Sequence, residues 1–219
     1  MNNLKNIKAV IFDLDNTLID RQRAFKEAMF IIVSETLPNI SDELVAEALH
    51  DILKWDDNGT QPRLEVFEKY CNKYNVKKSK AIEIDEYWRN SSGSIVYLFP
   101  DALDVIDYLK SKYRLAILTN GMPLPQRKKL NSSGILKDFE FSVVSGEVGI
   151  DKPDERIFKH VVDKLNLSAD ECIYVGDNYE VDIMGSSKIG ILPVFVNRSN
   201  KKDVQGIVIE HLCELKDFL

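Results

Sequence analysis

The stretch Lys8-Ala9-Val10-Ile11-Phe12-Asp13-Leu14-Asp15-Asn16-Thr17-Leu18 constrains the fold more than any other part of the chain. An unbroken apolar run, Ala9 to Phe12, stops at two aspartates. Apolar residues without polar alternation suit a strand covered on both faces, as in a parallel sheet. Residues two apart on a strand point to the same side, so Asp13 and Asp15 are expected to project together past the strand's carboxyl end. Open α/β sheets place their ligands at that edge. Two carboxylates this close repel unless one is protonated or a cation lies between them. A hard cation with oxygen ligands, such as Mg2+, meets that need. Taken alone, the pair reads equally as a solvated turn.

From about Arg21 to Asn90 the pattern is helical. Ala24, Phe25, Ala28, Met29, Ile31 and Ile32 recur at helical spacing up to Pro38. Ser41 is a candidate N-cap for a second helix carrying Leu44, Val45, Ala48, Leu49 and Ile52. Asp56-Asp57-Asn58-Gly59 reads as a turn, and Pro62 opens a third helix. Ile82, Ile84, Tyr87 and Trp88 indicate a fourth, with Tyr87 and Trp88 packing the interior. No strand is evident in this block, which stands as an insert between the first strand and the rest.

Beyond Pro100 strands alternate with helices. A helix over 101–112 precedes a strand that ends at Thr119-Asn120-Gly121, and residues 123–133 are again helical. A strand at 141–144 is followed by Asp151-Lys152-Pro153, which opens a helix to about Leu165. Cys172 to Val175 is a strand ending at Gly176-Asp177. A short helix over 181–188, strands at 191–196 and 206–209, and a closing helix from His211 complete the chain. This order predicts an α/β fold, a Rossmann-like doubly wound parallel sheet, with an inserted α-helical cap. The expected division is a core of 1–16 and 95–219 and a cap of 17–94. Because the cap leaves and rejoins the core at two nearby points, it is expected to act as a lid.

The net charge of −6, from 29 Lys+Arg against 35 Asp+Glu, argues against a nucleic-acid polymer as partner. Cys71, Cys172 and Cys213 are widely spaced and read as reduced thiols, Cys172 in a core strand. Met1 to Ile7 has no long apolar segment, and no run approaches 18 apolar residues. A cytoplasmic monomer or homodimer without membrane attachment is therefore expected. His50, His160 and His211 fall in predicted helices and read as surface or packing residues.

Four strand ends thus carry polar signals, and in a parallel sheet they share one edge. Each is weak alone. Together, in this order, they resemble the haloacid dehalogenase-like hydrolase superfamily: Asp13-Leu14-Asp15-Asn16-Thr17 is similar to its first motif, Leu118-Thr119-Asn120-Gly121 to its second, Lys152-Pro153 to its third, and Gly176-Asp177 with Asp182 to its fourth. The resemblance spans nearly the whole chain, and the helical insert resembles the cap of one subclass.

The resemblance implies a Mg2+-dependent phosphatase acting on a small phosphorylated metabolite through an aspartyl-phosphate. Asp13 would be the nucleophile, and Asp15 the acid that protonates the leaving oxygen and then accepts a proton from water. Thr119, Asn120 and Lys152 would bind the phosphoryl group, and Asp13, the Asp15 carbonyl and Asp177 would hold the metal. Asp182 would orient metal-bound water or Lys152, and Asn178 would shape the turn or touch the metal's water shell. Glu180 reads as a carboxylate at a helix start. In the cap, Arg21, Asn58 and Arg63 are candidate substrate contacts, each arginine also readable as a solvated charge. The family includes phosphomutases and dehalogenases, but its dehalogenase branch lacks an aspartate at the position of Asp15. A non-enzymatic phospho-receiver would lack both that aspartate and the insert.

Overall fold

The computed structural model describes residues 3–38, 40–198 and 200–219. They form two compact units, one of Met1–Asp20 with Val96–Leu219, the other of Arg21–Ile95. The first unit contains a six-stranded sheet in the order β3-β2-β1-β4-β5-β6. Its strands are β1 (Ala9–Phe12), β2 (Arg114–Thr119), β3 (Phe141–Val144), β4 (Cys172–Gly176), β5 (Leu192–Val196) and β6 (Ile207–Ile209), every neighbouring pair parallel.

The apolar runs behave as strands covered on both faces. Val10, Phe12, Leu115, Ile117, Ile173 and Val175 enter one core, while Ala9, Ile11, Ala116, Leu118, Cys172 and Tyr174 enter another. The alternation within each strand feeds both layers, so a single polar replacement in β1, β2 or β4 would bury an unpaired group.

The second unit is helical: α1 (Arg21–Thr36), α2 (Asp42–Asp56), α3 (Arg63–Lys73) and α4 (Lys80–Ser91) surround their own core, which includes Phe25, Met29, Ile52, Phe67, Tyr70 and Trp88. Ser41 does cap α2, its side chain accepting from the Leu44 amide. Trp88 packs edge-on to Phe25 at 4.9 Å between ring centroids. Tyr87 is 46% exposed and does not pack this core, because it lies one position off the buried stripe of Ala81, Ile84 and Trp88. Asp56 closes α2 rather than opening a turn.

In the sheet unit the helices are α5 (Ala102–Lys110), α6 (Pro123–Ser133), α7 (Ser145–Val148), α8 (Glu155–Leu165) and α9 (Met184–Ser187). α5 packs on the first of the two sheet cores and α8 on the second, giving the doubly wound arrangement. Three details differ from the sequence reading. The segment after Asp177 is a π-helical turn, Tyr179–Ile183, that only then becomes α9. The closing helix is a 3-10 helix, Leu212–Asp217, with His211 as its cap. α8 begins at Glu155, where Asp154 accepts from the Arg156 amide, so Lys152 stands in the preceding loop.

The first joint of the insert lies after Asp20, later than the expected residue 17. Ile19 bridges both Asp15 and Leu98, the Asp20 amide donates to the Tyr97 carbonyl at 2.7 Å, and the Phe99 amide to Leu18 at 3.0 Å. These bonds keep residues 17–20 with the sheet.

Candidate active site

β1, β2 and β4 are adjacent and parallel, so Asp13, Thr119-Asn120 and Asp177 emerge together at one edge. The Asp13 amide extends the ladder by donating to Val175 at 2.9 Å. Asp13 is buried, and its Oδ1 accepts from Lys152 Nζ at 2.6 Å. The same ammonium donates to Asp182 Oδ1 at 2.7 Å and to the Tyr174 hydroxyl at 2.9 Å. Lys152 is fixed from its main chain as well: the Asn120 carboxamide accepts from the Lys152 amide at 2.8 Å and donates to its carbonyl at 2.9 Å. The Asn120 side chain therefore clamps the lysine loop to the end of β2.

Asp182 is held as firmly. Besides Lys152 it accepts from the Asn178 amide at 3.0 Å, while the Asn178 side chain accepts from the Val181 amide at 3.0 Å. The π-helical turn brings Asp182 so close to β4 that a Cβ on Gly176 would lie 2.5 Å from its Oδ2. Only glycine fits there. Glu180, on the same turn, pairs with Lys201.

Oxygens of Asp13, Asp177 and Asp182 lie within 4.8 Å of one another. Burial lifts the Asp13 carboxyl; Asp182 and Asp15 raise it further and Lys152 lowers it, leaving its pKa raised to about 7. Burial, then Asp13 and Asp182, push Asp177 well above the usual carboxylate range. Burial alone would depress Lys152, but Asp13 and Asp182 outweigh it and hold the ammonium well above its ordinary value. Two of three carboxylates are thus energetically costly as anions, and the one buried ammonium among them is already shared. Hard oxygen donors with uncompensated negative charge fit a divalent, oxygen-seeking cation.

The Asp15 carboxylate is not one of these three, but its charge raises both Asp13 and Asp177, and Leu14 shares the core of Val10 and Phe12, so the alternation of β1 carries on past its end. The two Asp15 carboxylate oxygens accept from Lys129 Nζ at 2.7 and 2.6 Å. Gln126 Nε2 bridges Asp15 Oδ2 at 3.0 Å and Thr119 Oγ1 at 2.7 Å. Thr17, buried, donates to Asp177 at 3.4 Å. Arg198 donates to the carbonyls of Asn16 and Thr17 at 2.9 and 3.1 Å and lies 3.4 Å over the Phe99 ring.

Gln126, Lys129, Tyr174 and Arg198 were not singled out from the sequence. A signal existed for three of them. Gln126 and Lys129 are three apart near the start of a helix that opens at a strand end, so they share a face, and Arg198 follows β5 at the same sheet edge.

The candidate cap residues belong to the helical unit. Arg21 is buried rather than solvated, its guanidinium donating to both Asp56 oxygens at 3.0 and 3.3 Å. The Arg63 guanidinium lies 5.5 Å from the Trp88 ring centroid. The Asn58 side chain falls outside the described residues. His50, His160 and His211 are exposed.

A parallel sheet whose carboxyl edge gathers buried aspartates, a threonine and a lysine defines an α/β protein with a carboxylate-centred site. The chain belongs to the haloacid dehalogenase-like hydrolases, whose family model matches residues 7–190. It is 28% identical to the glyceraldehyde 3-phosphate phosphatase of Methanothermobacter thermautotrophicus, across 97% of this chain and 100% of that one. It is 27% identical to the pyrimidine 5'-nucleotidase YjjG of Escherichia coli, across 96% of each. Among solved structures it is similar to the HAD-hydrolase YfnB of Bacillus subtilis bound to magnesium, with a TM-score of 0.79 and 25% identity over 96% of this chain and 97% of that one. The expectation of a hydrolase acting on phosphoric monoester bonds is borne out at the level of class. Among the described residues no helix is long and apolar enough to cross a membrane.

Proposed function

We propose that this protein is a Mg2+-dependent phosphatase that hydrolyses a small phosphomonoester through an aspartyl-phosphate on Asp13. The observation that carries this reading is the buried Asp13 carboxylate at the end of the central strand, 2.6 Å from Lys152 and beside Asp177. The relatives named as phosphatases and a nucleotidase support it.

Asp13 and Asp177, with the main-chain carbonyl of Asp15, would hold the cation. When bound, it supplies positive charge that offsets the phosphoryl oxygens and the paired carboxylates. An Asp13 oxygen attacks phosphorus as the bond to the leaving oxygen breaks, and Asp15 gives its proton to that oxygen. Water then attacks the phosphorus, Asp15 takes a proton from it, and the bond to Asp13 breaks, restoring both carboxyl groups and releasing phosphate. Thr119 donates to a phosphoryl oxygen. Lys152, steered by Asp182, Tyr174 and the Asn120 clamp, keeps Asp13 aligned and adds compact positive charge. Asp182 acts on the lysine, its oxygens already taken up by Lys152 and the Asn178 amide. Arg21 is read as an anchor of the helical unit, its guanidinium committed to Asp56.

The test is release of phosphate from a panel of sugar phosphates, nucleoside monophosphates and phosphorylated short acids with Mg2+. At least one should turn over well above an Asp13→Asn control. No release beyond that control from any of them sinks the reading.

A further inference from the structure

Gln126 is 3% exposed and sits at the start of α6, where its amide closes the first helical bond onto Met122. Its carboxamide nitrogen is shared between the Asp15 carboxylate and the Thr119 hydroxyl. The amide nitrogen donates to both groups, so in this structure Asp15 accepts from Gln126 and from Lys129 alike. A hydroxyl has one proton to donate and can accept besides. Because Gln126 fills an accepting position of Thr119, the hydroxyl keeps its own proton for another acceptor; among the described residues that acceptor is the Asn120 carbonyl, at a marginal 3.5 Å. The backbone makes room for this side chain. Gly121 has φ of +134°, and a Cβ there would lie 3.2 Å from Gln126 Cγ. Lys129, one helical turn on, holds the same carboxylate by its ammonium.

We propose that Gln126 is a positioning residue that ties the proton-transferring carboxylate of Asp15 to the phosphoryl-binding hydroxyl of Thr119. The inference rests on the phosphatase reading and deepens it. One amide sets the orientation of two groups that act on opposite ends of the bond being broken. Asp15 is thereby held for the leaving oxygen, and Thr119 is left with a proton for the transferring group. Lys129 holds the Asp15 carboxylate by charge, whereas the Gln126 amide bonds to both Asp15 and Thr119 and so makes the link between them.

The test uses the full chain with Mg2+ and two variants of similar size, Gln126→Met and Gln126→Glu. The first has no donor, and the second puts an acceptor where the donor stood. Two substrates are compared: a simple alkyl phosphate, whose leaving oxygen needs a proton, and 2,4-dinitrophenyl phosphate, whose leaving group does not. kcat/KM reports the steps up to aspartyl-phosphate formation. General-acid help is worth about a hundredfold or more, so the alkyl ester should lose about a hundredfold in each variant. The dinitrophenyl ester should lose at least about tenfold less. Equal losses on both esters, or no loss, overturn the proposal and leave Gln126 a packing residue. So does failure of both variants to fold, read by circular dichroism and thermal melting. Wild-type protein that hydrolyses neither ester, nor any phosphate of the wider panel, instead removes the phosphatase reading.

Discussion

Each unit buries an ion pair, and the two pairs differ in balance. In the helical unit one arginine meets one aspartate: Arg21 makes a two-pronged bond to Asp56, with 7% and 3% of the side chains exposed. In the sheet unit one ammonium, Lys152, faces Asp13 and Asp182, with the Asp177 carboxylate also in the cluster. The first arrangement is closed, with two charges of opposite sign satisfying each other. The second gathers more carboxyl groups than its one ammonium can balance as anions where water is scarce, which folding alone does not require. A buried cluster that is not neutral by itself marks the place where a ligand's charge belongs.

Four changes should sharpen or break that contrast. The largest effect is expected from Asp13→Asn, which removes the nucleophile and should lower turnover by about a thousandfold or more. The same change removes one uncompensated carboxylate, so the metal-free variant should melt at or above the wild-type temperature. A large fall in melting temperature would mean that the cluster is balanced after all. Arg21→Ala should act in the opposite sense, leaving Asp56 buried and unpaired at a cost of about 3–5 kcal/mol in denaturant unfolding. Replacing both partners, Arg21→Met with Asp56→Leu, should recover most of it. A cost below about 1 kcal/mol for the single change would show that the helical pair is not closed.

Third, metal-free stability should depend on pH. With folded pKa values raised for Asp13, to about 7, and for Asp177, the native state binds more protons than the unfolded chain. Their stabilising contribution is fully present below the unfolded carboxylate value and is lost as pH rises through about 7. Mg2+ should reverse that loss, stabilising by about 3 kcal/mol at a hundredfold excess over Kd. Its effect on the melting temperature should be larger at neutral pH than at about pH 5. An equal shift at both values would place the cation elsewhere. Fourth and smallest, Tyr174→Phe removes one acceptor of Lys152 without changing the charge count, at about 1 kcal/mol of stability. A loss on the scale expected for Arg21→Ala would mean that the lysine depends on Tyr174 more than on its carboxylates.

What could be read from the sequence was the part set by local chemistry. Asp13, Thr119, Asp177 and their order were legible because unbroken apolar runs such as Ala9–Phe12 and Leu115–Leu118 announce strands buried on both faces, and polar residues announce their ends. What Asp15 touches was not legible, since its partners Gln126 and Lys129 are more than a hundred residues away and are chosen by the docking of α6. The closeness of Asp182 to β4 comes from a π-helical turn that helical periodicity cannot reveal. Arg21 read as a substrate contact or a solvated charge because nothing local marks Asp56 as its partner. The insert's first joint was placed early because pairing of Ile19 with Leu98 spans the whole insert.

That pairing also bears on how a chain of this design can be rebuilt. The short seam from Leu18 to Asp20 against Tyr97 to Phe99 includes main-chain bonds and one bridge within the sheet unit. The two chain ends that border residues 21–95 are therefore already side by side, whatever lies between them. The entropy of closing a loop grows only slowly with its length, so a seam of this kind tolerates exchange of the intervening segment. In engineering terms Asp20 and Val96 form a splice point: a short turn, or a different folded module, could be ligated there without disturbing the strand order on which Asp13 depends.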